Sequence, residues 1–207
     1  MNPSTLEEAI ELADNIVNFP TKNKVILLVP YPFIPYVCQA INNSPVIEVG
    51  SQDCYTELSG AYTGAISISM IKSLGCSYVL AGHSERRIIF GDTNSIINQK
   101  VHLILKSSLK CILCIGENKV EYEQGLNKKV CTQQLEECLN GCYESDLSNI
   151  IIAYEPVWAI GTGLNATPEI AEEIHIHIRE WIRINYSLSV AQNMAILYGG
   201  SVNQNNI

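Results

Sequence analysis

Short, continuous apolar runs alternate along this chain with longer segments whose apolar residues recur at helical spacing. Each run is three to five residues long and is bounded by polar residues, glycine or proline, which is typical of buried strands. Strands that are apolar on both faces belong to parallel sheets covered by helices. The predicted strands occupy residues 25–29, 46–49, 78–81, 111–115, 150–154 and 195–197.

Helices are predicted in the segments between the strands. Ser4 or Thr5 can cap a helix over residues 6–17. Pro168 stands at the first turn of a long helix over 168–186, where proline is tolerated. The other predicted helices are a short one ending near Ile41, three over 66–73, 95–106 and 128–139, and one beginning near Ser84.

Polar or glycine-rich residues follow the carboxyl ends of five of the six predicted strands. In an open, doubly wound sheet such residues meet in a single crevice, whereas a (β/α)8 barrel brings all its strand ends to one rim. Their spread over five strands favours the barrel, and we expect one domain over residues 1–207. The residues concerned are Gln52, His83, Glu117, Glu155 and the run 199–201.

Charge and hydropathy exclude several classes of partner. The chain has 13 Lys and Arg against 21 Asp and Glu, a net charge of -8, so we expect no nucleic-acid or anionic-membrane partner. The N-terminus lacks the order of a signal peptide, and no apolar run approaches the roughly 18 residues of a membrane span. The eight cysteines lie mostly in apolar segments, which indicates reduced thiols of an intracellular compartment.

No metal site is predicted from the sequence. Cys111 and Cys114 resemble half of a zinc knuckle, but they stand in a predicted strand and have no matching second half. His175 and His177 are two residues apart on a predicted helix, so they face different sides of it.

One predicted strand ends in a carboxylate directed at a covered cleft. Glu155 follows the strand, and Pro156 then opens a loop that carries Trp158 and closes on two glycines. A glutamate fixed at a strand end can act as a general base, and exclusion of water by an apolar loop raises its basicity.

Four motifs carry a resemblance to a known family. They are AGHSERR at residues 81–87, CIGE at 114–117, AYEPVWAIGTG at 153–163 and YGGSV at 198–202. In order and spacing, over the whole chain, they resemble triosephosphate isomerase. The resemblance implies a TIM (β/α)8 barrel that interconverts dihydroxyacetone phosphate and glyceraldehyde 3-phosphate through an enediol(ate). It also implies a place in glycolysis and gluconeogenesis, in the cytoplasm or in an organelle such as a plastid.

The resemblance implies a role for each of several residues. Glu155 is the general base and His83 the electrophile, a neutral ring beside a helix N-terminus that donates a hydrogen bond to substrate oxygens. Gly161 and Ser201 bind the substrate phosphate through backbone N–H groups, which suits a chain with few cations. No metal or organic cofactor is needed.

Further residues are expected to support the site. Glu85 is predicted to be a buried ionic or hydrogen-bonding support, and Cys114 to be a second supporting residue. Arg86 and Arg87 are expected to pair with carboxylates. Through the loop over 52–64, which contains Thr63, the resemblance also implies a homodimer.

The family pattern extends beyond this sequence at both ends. The family's first strand carries an Asn-x-Lys motif and its eighth a Gly-Gly pair, and both lie outside residues 1–207, so the barrel is expected to be incomplete. Without these strands we expect the 207-residue chain, made alone, to be unstable or nearly inactive. A catalytically dead barrel with an interaction or structural role is the alternative.

Overall fold

The computed structural model describes residues 2–41, 44–160, 166–200 and 202, and it shows strands and helices in alternation. By its own packing the chain divides into two compact units, Met1–Ala81 with His102–Cys111, and Gly82–Val101 with Ile112–Ile207. The strands are β1 Val25–Val29, β2 Ile47–Ser51, β3 Tyr78–Ala81, β4 Lys110–Ile115, β5 Ile150–Tyr154 and β6 Ile196–Tyr198. The helices are α1 Leu6–Val17, α2 Ile34–Ile41, α3 Ile68–Ser73, α4 Ser84–Ile88, α5 Asn94–Lys106, α6 Lys119–Glu123, α7 Asn127–Cys138, α8 Pro168–Asn185 and α9 Leu188–Asn193, with short 3-10 turns at Tyr31–Phe33, Glu144–Asn149 and Val157–Ala159.

The first unit contains the parallel strands β1, β2 and β3. Val25 is in register with Ile47, and Gly50 with Tyr78. Helix α1 begins with a capping box, in which Thr5 accepts the Glu8 N–H and the Glu8 carboxylate accepts the Thr5 N–H. Apolar side chains from strands and helices form a buried core, to which Leu27, Val29, Ile34, Val37, Val49, Ile68, Ile71 and Val79 contribute.

The second unit contains most of β4 together with β5 and β6. Strands β5 and β6 pair in parallel, with Ala153 in register with Leu197. The Glu155 N–H donates to the Ile115 carbonyl at 2.7 Å, which aligns the ends of β4 and β5. Helices α7 and α8 bury one apolar stripe each, so the unit has its own core, formed in part by Leu113, Leu135, Ile152, Ile174, Ile178 and Ile182.

A buried ion cluster lies in the second unit, between helix α5 and the segment that follows helix α4. Lys100 is only 2% exposed, and its Nζ lies 2.6 Å from Asp92 Oδ2. Arg86 Nε lies 3.3 Å from the same oxygen. The predicted pairing of Arg86 with a carboxylate is therefore confirmed, and the cluster fixes the C-terminal end of α4.

The predicted alternation is confirmed by the structure. All six predicted strands are present, and their ends differ from the predicted ones by at most two residues. Helices α6 and α9 were not predicted, because five or six residues are too few to display a helical period. The single domain over 1–207 stays a prediction. Among the described residues no helix is both long and apolar enough to span a bilayer.

Candidate active site

Glu155 follows the last residue of β5 and is 4% exposed. Two glycines make room for it. A Cβ added to Gly116 would lie 1.7 Å from the Glu155 carbonyl oxygen, and one added to Gly199 would lie 2.9 Å from Glu155 Cγ. No side chain fits at 1.7 Å from a backbone atom, so Gly116 is required where β4 ends against Glu155.

The Glu155 carboxylate is held by groups from two other segments. The Ser84 N–H donates to Oε2 at 2.9 Å, and the Ser84 hydroxyl and the Cys114 thiol also donate hydrogen bonds. Burial raises the pKa of Glu155, and the nearby His83 ring and these hydrogen bonds only partly oppose the rise. Glu155 is therefore a stronger base than an exposed glutamate.

His83 lies beside this carboxylate, with its Nε2 3.2 Å from Glu155 Oε1. His83 is the N-cap of α4, and its Nδ1 accepts the Glu85 N–H at 3.3 Å. Because Nδ1 accepts, the neutral ring carries its proton on Nε2, the nitrogen nearest to Glu155. The side chain is 30% exposed, so a ligand can reach it.

The strand-to-helix turn that carries His83 is held by Gly82 and Arg87. Gly82 has φ +77, a left-handed conformation that glycine adopts without strain. Arg87 donates to the Gly82 carbonyl at 2.7 Å, to the Cys114 carbonyl at 3.0 Å and to Asn94 Oδ1 at 2.5 Å. The predicted pairing of Arg87 with a carboxylate is wrong, because its guanidinium instead joins this turn to the end of β4.

A second buried carboxylate, Glu117, lies two residues beyond β4. Its Oε1 accepts hydrogen bonds from the Tyr154 hydroxyl at 3.0 Å and from Trp158 Nε1 at 2.8 Å, and Tyr122 stacks on Trp158 with ring centroids 4.1 Å apart. Burial raises the pKa of Glu117, although the Trp158 and Tyr154 donors oppose the rise. Through these two bonds Glu117 connects Tyr154, which precedes Glu155 in the sequence, with Trp158, which lies three residues after it.

Metal-ligating side chains do not gather in the described part of the chain, where no three His, Cys, Asp or Glu residues are placed to hold an ion. His177 Nε2 is 2.8 Å from Thr132 Oγ1, and the His175 ring packs edge-on against Tyr154 at 6.1 Å. Glu155 and His83 together place a buried base beside a hydrogen-bond donor.

Comparison with known proteins agrees with this geometry. The model of one family, triosephosphate isomerase, matches residues 1–207. The chain belongs to the triosephosphate isomerase family. The triosephosphate isomerase of Cytophaga hutchinsonii is 40% identical across 98% of this chain and 82% of its own length. That of Acidithiobacillus ferrooxidans is 43% identical across 96% of this chain and 78% of its own length. Family membership confirms the predicted fold class, an α/β TIM-type fold.

The structure of this triosephosphate isomerase family member brings together His83, Cys114 and Glu155, three of the predicted site residues. The predicted burial of Glu85 is wrong. Its side chain is 70% exposed, because the second residue of α4 points to solvent. Its predicted place as a support of His83 is kept, since its backbone N–H donates to Nδ1 at 3.3 Å and its Oε2 lies 3.8 Å from the same nitrogen. Gly161 and Ser201 lie outside the described residues.

Sequence reasoning missed the role of Ser84, which supplies two hydrogen bonds to the base. The first backbone N–H groups of a helix have no partner within the helix, so the predicted helix start near Ser84 was a usable signal. For Glu117 the sequence predicted only that it follows the end of a strand. Its partners Tyr154 and Trp158 flank Glu155 in the sequence, and no spacing rule connects them to position 117.

Proposed function

We propose that the protein is a triose-phosphate isomerase that interconverts dihydroxyacetone phosphate and glyceraldehyde 3-phosphate. The observation that carries this proposal is the buried Glu155 carboxylate 3.2 Å from the Nε2 of His83. Membership of the triosephosphate isomerase family and the names of the two relatives support it.

The reaction moves one proton between neighbouring carbons. A base takes a proton from the carbon next to the carbonyl, the carbonyl oxygen gains negative charge, and the resulting enediol(ate) takes a proton at the adjacent carbon. Glu155 serves as that base, since its raised pKa favours proton abstraction. His83 donates its Nε2–H to the substrate oxygens, a use of neutral histidine that triosephosphate isomerases themselves exemplify.

The contact between His83 and Glu155 links substrate binding to activation of the base. When the Nε2–H turns to the substrate carbonyl, Glu155 loses a favourable neighbour of its ionised form. Its affinity for a proton rises as a result, at the moment when the substrate carbon is in reach. Binding and basicity therefore increase together.

The substrate phosphate is assigned, within this proposal, to the backbone N–H groups of Gly161 and Ser201. The support is the motif that each residue belongs to, together with the small number of cations in a chain of net charge -8. Backbone N–H groups bind phosphate without a charged side chain.

The test of the proposed function is an isomerase assay on the protein as its gene encodes it. Run in D2O with dihydroxyacetone phosphate, it is expected to give glyceraldehyde 3-phosphate that carries solvent deuterium at the carbon that gains the proton. Treatment with a metal chelator is expected to leave the rate unchanged. A folded protein that shows neither turnover nor exchange would support the catalytically dead barrel instead.

A homodimer formed through the loop over 52–64 is part of the proposal. Residues 57–64 are all exposed, and they include the apolar side chains Leu58, 53% exposed, and Tyr62, 43% exposed. The loop is nevertheless ordered, because the Tyr55 N–H donates to the Ile66 carbonyl at 2.9 Å and the Tyr55 and Tyr62 rings lie 4.7 Å apart. An ordered projection with exposed apolar side chains suits insertion into a second copy.

Substitution of Thr63 tests this interface. Thr63→Arg would force a charge into a docked loop, so we expect the dimer dissociation constant to rise by about a hundredfold. Sedimentation velocity over a concentration series measures it. Ser145→Arg adds the same charge at another exposed turn and is the matched control. A dimer of unchanged affinity in the Thr63→Arg variant would exclude the loop from the interface.

The cytoplasm is the proposed compartment, and glycolysis and gluconeogenesis are the proposed context. All eight cysteines are free thiols in the structure, and six of them are buried. Free thiols at this density are typical of a reducing compartment.

A further inference from the structure

Gln134 on helix α7 makes two hydrogen bonds to the backbone of a single residue, Gly116. The Gly116 N–H donates to Gln134 Oε1 at 2.8 Å, and Gln134 Nε2 donates to the Gly116 carbonyl at 3.1 Å. A residue in an antiparallel ladder receives this same pair of bonds from the strand beside it. The side-chain amide therefore takes the place of a strand at the end of β4.

Gly116 lies directly against the backbone of Glu155. A Cβ added to Gly116 would lie 1.7 Å from the Glu155 carbonyl oxygen and 3.2 Å from Glu155 Cα. Backbone bonds on both sides of Gly116 hold this contact. The Glu155 N–H donates to the Ile115 carbonyl at 2.7 Å, and the Val157 N–H donates to the Glu117 carbonyl at 3.1 Å. A shift of the Gly116 peptide would therefore displace the Glu155 backbone.

We propose that Gln134 is a positioning residue for the isomerisation, which acts by holding Gly116 against Glu155. A base must approach the substrate carbon at one distance and angle, and a displacement of about 1 Å can lower the rate by about a hundredfold. Glu155 follows the end of β5, so the position of its carboxylate depends on the position of its own backbone. Gln134 binds the far side of Gly116, which lies in direct contact with that backbone.

Glutamine suits this position because one neutral group must both accept and donate. Gly116 is buried, and among the described residues only Gln134 is seen to bond its N–H and C=O. Methionine has the length of glutamine but neither function. Glutamate accepts the Gly116 N–H but, when ionised, repels the carbonyl, and only its protonated form can make both bonds.

The experiment compares Gln134→Met with Gln133→Met, a matched control. Gln133 is the preceding residue of α7, is exposed, and bonds only to the Glu137 carboxylate among the hydrogen bonds described for it, at 2.7 Å. For Gln134→Met we expect kcat to fall by about tenfold to a hundredfold with KM within about twofold of the original. We also expect the pKa of Glu155, followed by carbon-13 NMR titration, to fall toward that of an ordinary glutamate as water enters. Gln133→Met is expected to change neither quantity.

The kinetic arm rests on the proposed function, whereas the titration of Glu155 does not. If the protein lacks isomerase activity, the proposed function fails and the titration still decides the role of Gln134. An unchanged Glu155 titration in folded Gln134→Met would overturn the inference. If that variant does not fold, Gln134→Glu replaces it. Its kcat relative to the original protein is then expected to rise as pH falls, and a ratio independent of pH would overturn the inference.

Discussion

Replacement of Glu155 by glutamine is expected to lower kcat by about 10²- to 10⁴-fold, the range that general acid–base catalysis contributes. Glutamine has the size of glutamate and can still accept the Ser84 N–H that is 2.9 Å from Oε2. It has no basic oxygen, so proton abstraction is lost while substrate binding is kept. KM should therefore change by no more than about threefold, as steady-state assays in both directions would measure.

Glu172→Gln is the matched control for this prediction, because it makes the same substitution at an exposed position of helix α8. Stability distinguishes loss of the base from loss of the fold. Burial raises the pKa of Glu155 and so disfavours its charge, and a neutral amide should leave the urea midpoint unchanged or higher. A Glu155→Gln variant that retained more than about a tenth of the original kcat would remove Glu155 from the role of base.

The acid side of the pH profile follows from the same residue. Glu155 must be ionised to take a proton, so kcat is expected to fall as pH falls through its pKa. Because burial raises that pKa, the fall should begin at a higher pH than for an exposed glutamate.

The strand and the turn that carry the site were predicted from the sequence more accurately than the contacts of its side chains. Strand β5 is an uninterrupted apolar run with Glu155 directly after it, and the prediction of both was confirmed. The position of His83 between a predicted strand and a predicted helix was confirmed as well, whereas its role as electrophile is implied by the resemblance of the motif at residues 81–87. Local spacing decides each of these features, so they can be read from a few neighbouring residues.

The interactions that hold the base depend on distant parts of the chain. Gln134 and Gly116 are separated by 18 residues, and Ser84 and Glu155 by 71. Neither apolar periodicity nor a capping rule connects such pairs. The predicted burial of Glu85 and the predicted partner of Arg87 were wrong for a related reason: residue type indicates that a charge needs a partner, but helix rotation decides whether solvent, a carbonyl or a carboxylate supplies it.

Substitution of Lys100 by methionine is expected to lower the free energy of unfolding by about 3–5 kcal/mol, because it leaves a buried carboxylate without its closest cation. Asp92 is 8% exposed and Lys100 2% exposed, with 2.6 Å between Oδ2 and Nζ. Methionine fills much of the volume of the lysine stem, so the effect is mainly electrostatic. Since most domains unfold at a cost of about 5–15 kcal/mol, a loss of this size is a large fraction of the total.

Urea unfolding followed by circular dichroism measures this loss. The control is Lys106→Met, at an exposed position of the same helix, which should change the free energy of unfolding by less than about 0.5 kcal/mol. In the double variant Asp92→Asn with Lys100→Met the carboxylate that lost its closest cation is also gone, so part of the stability should return. A double variant no more stable than Lys100→Met alone would show that packing, and not charge, accounts for the loss.

Acid should reduce the difference between the original protein and Lys100→Met. Burial alone would raise the pKa of Asp92, but its bonds to Lys100 and Arg86 outweigh burial and lower it. A carboxylate whose pKa is lowered on folding stabilises the fold above its unfolded pKa, and this contribution is lost as pH falls toward the folded pKa. Without Lys100, only Arg86 opposes the effect of burial, so the pKa of Asp92 is less lowered and the ionised carboxylate contributes less stability that acid can remove. The two unfolding free energies should therefore converge below the ordinary pKa of aspartate, whereas a difference independent of pH would rule out Asp92 as its source.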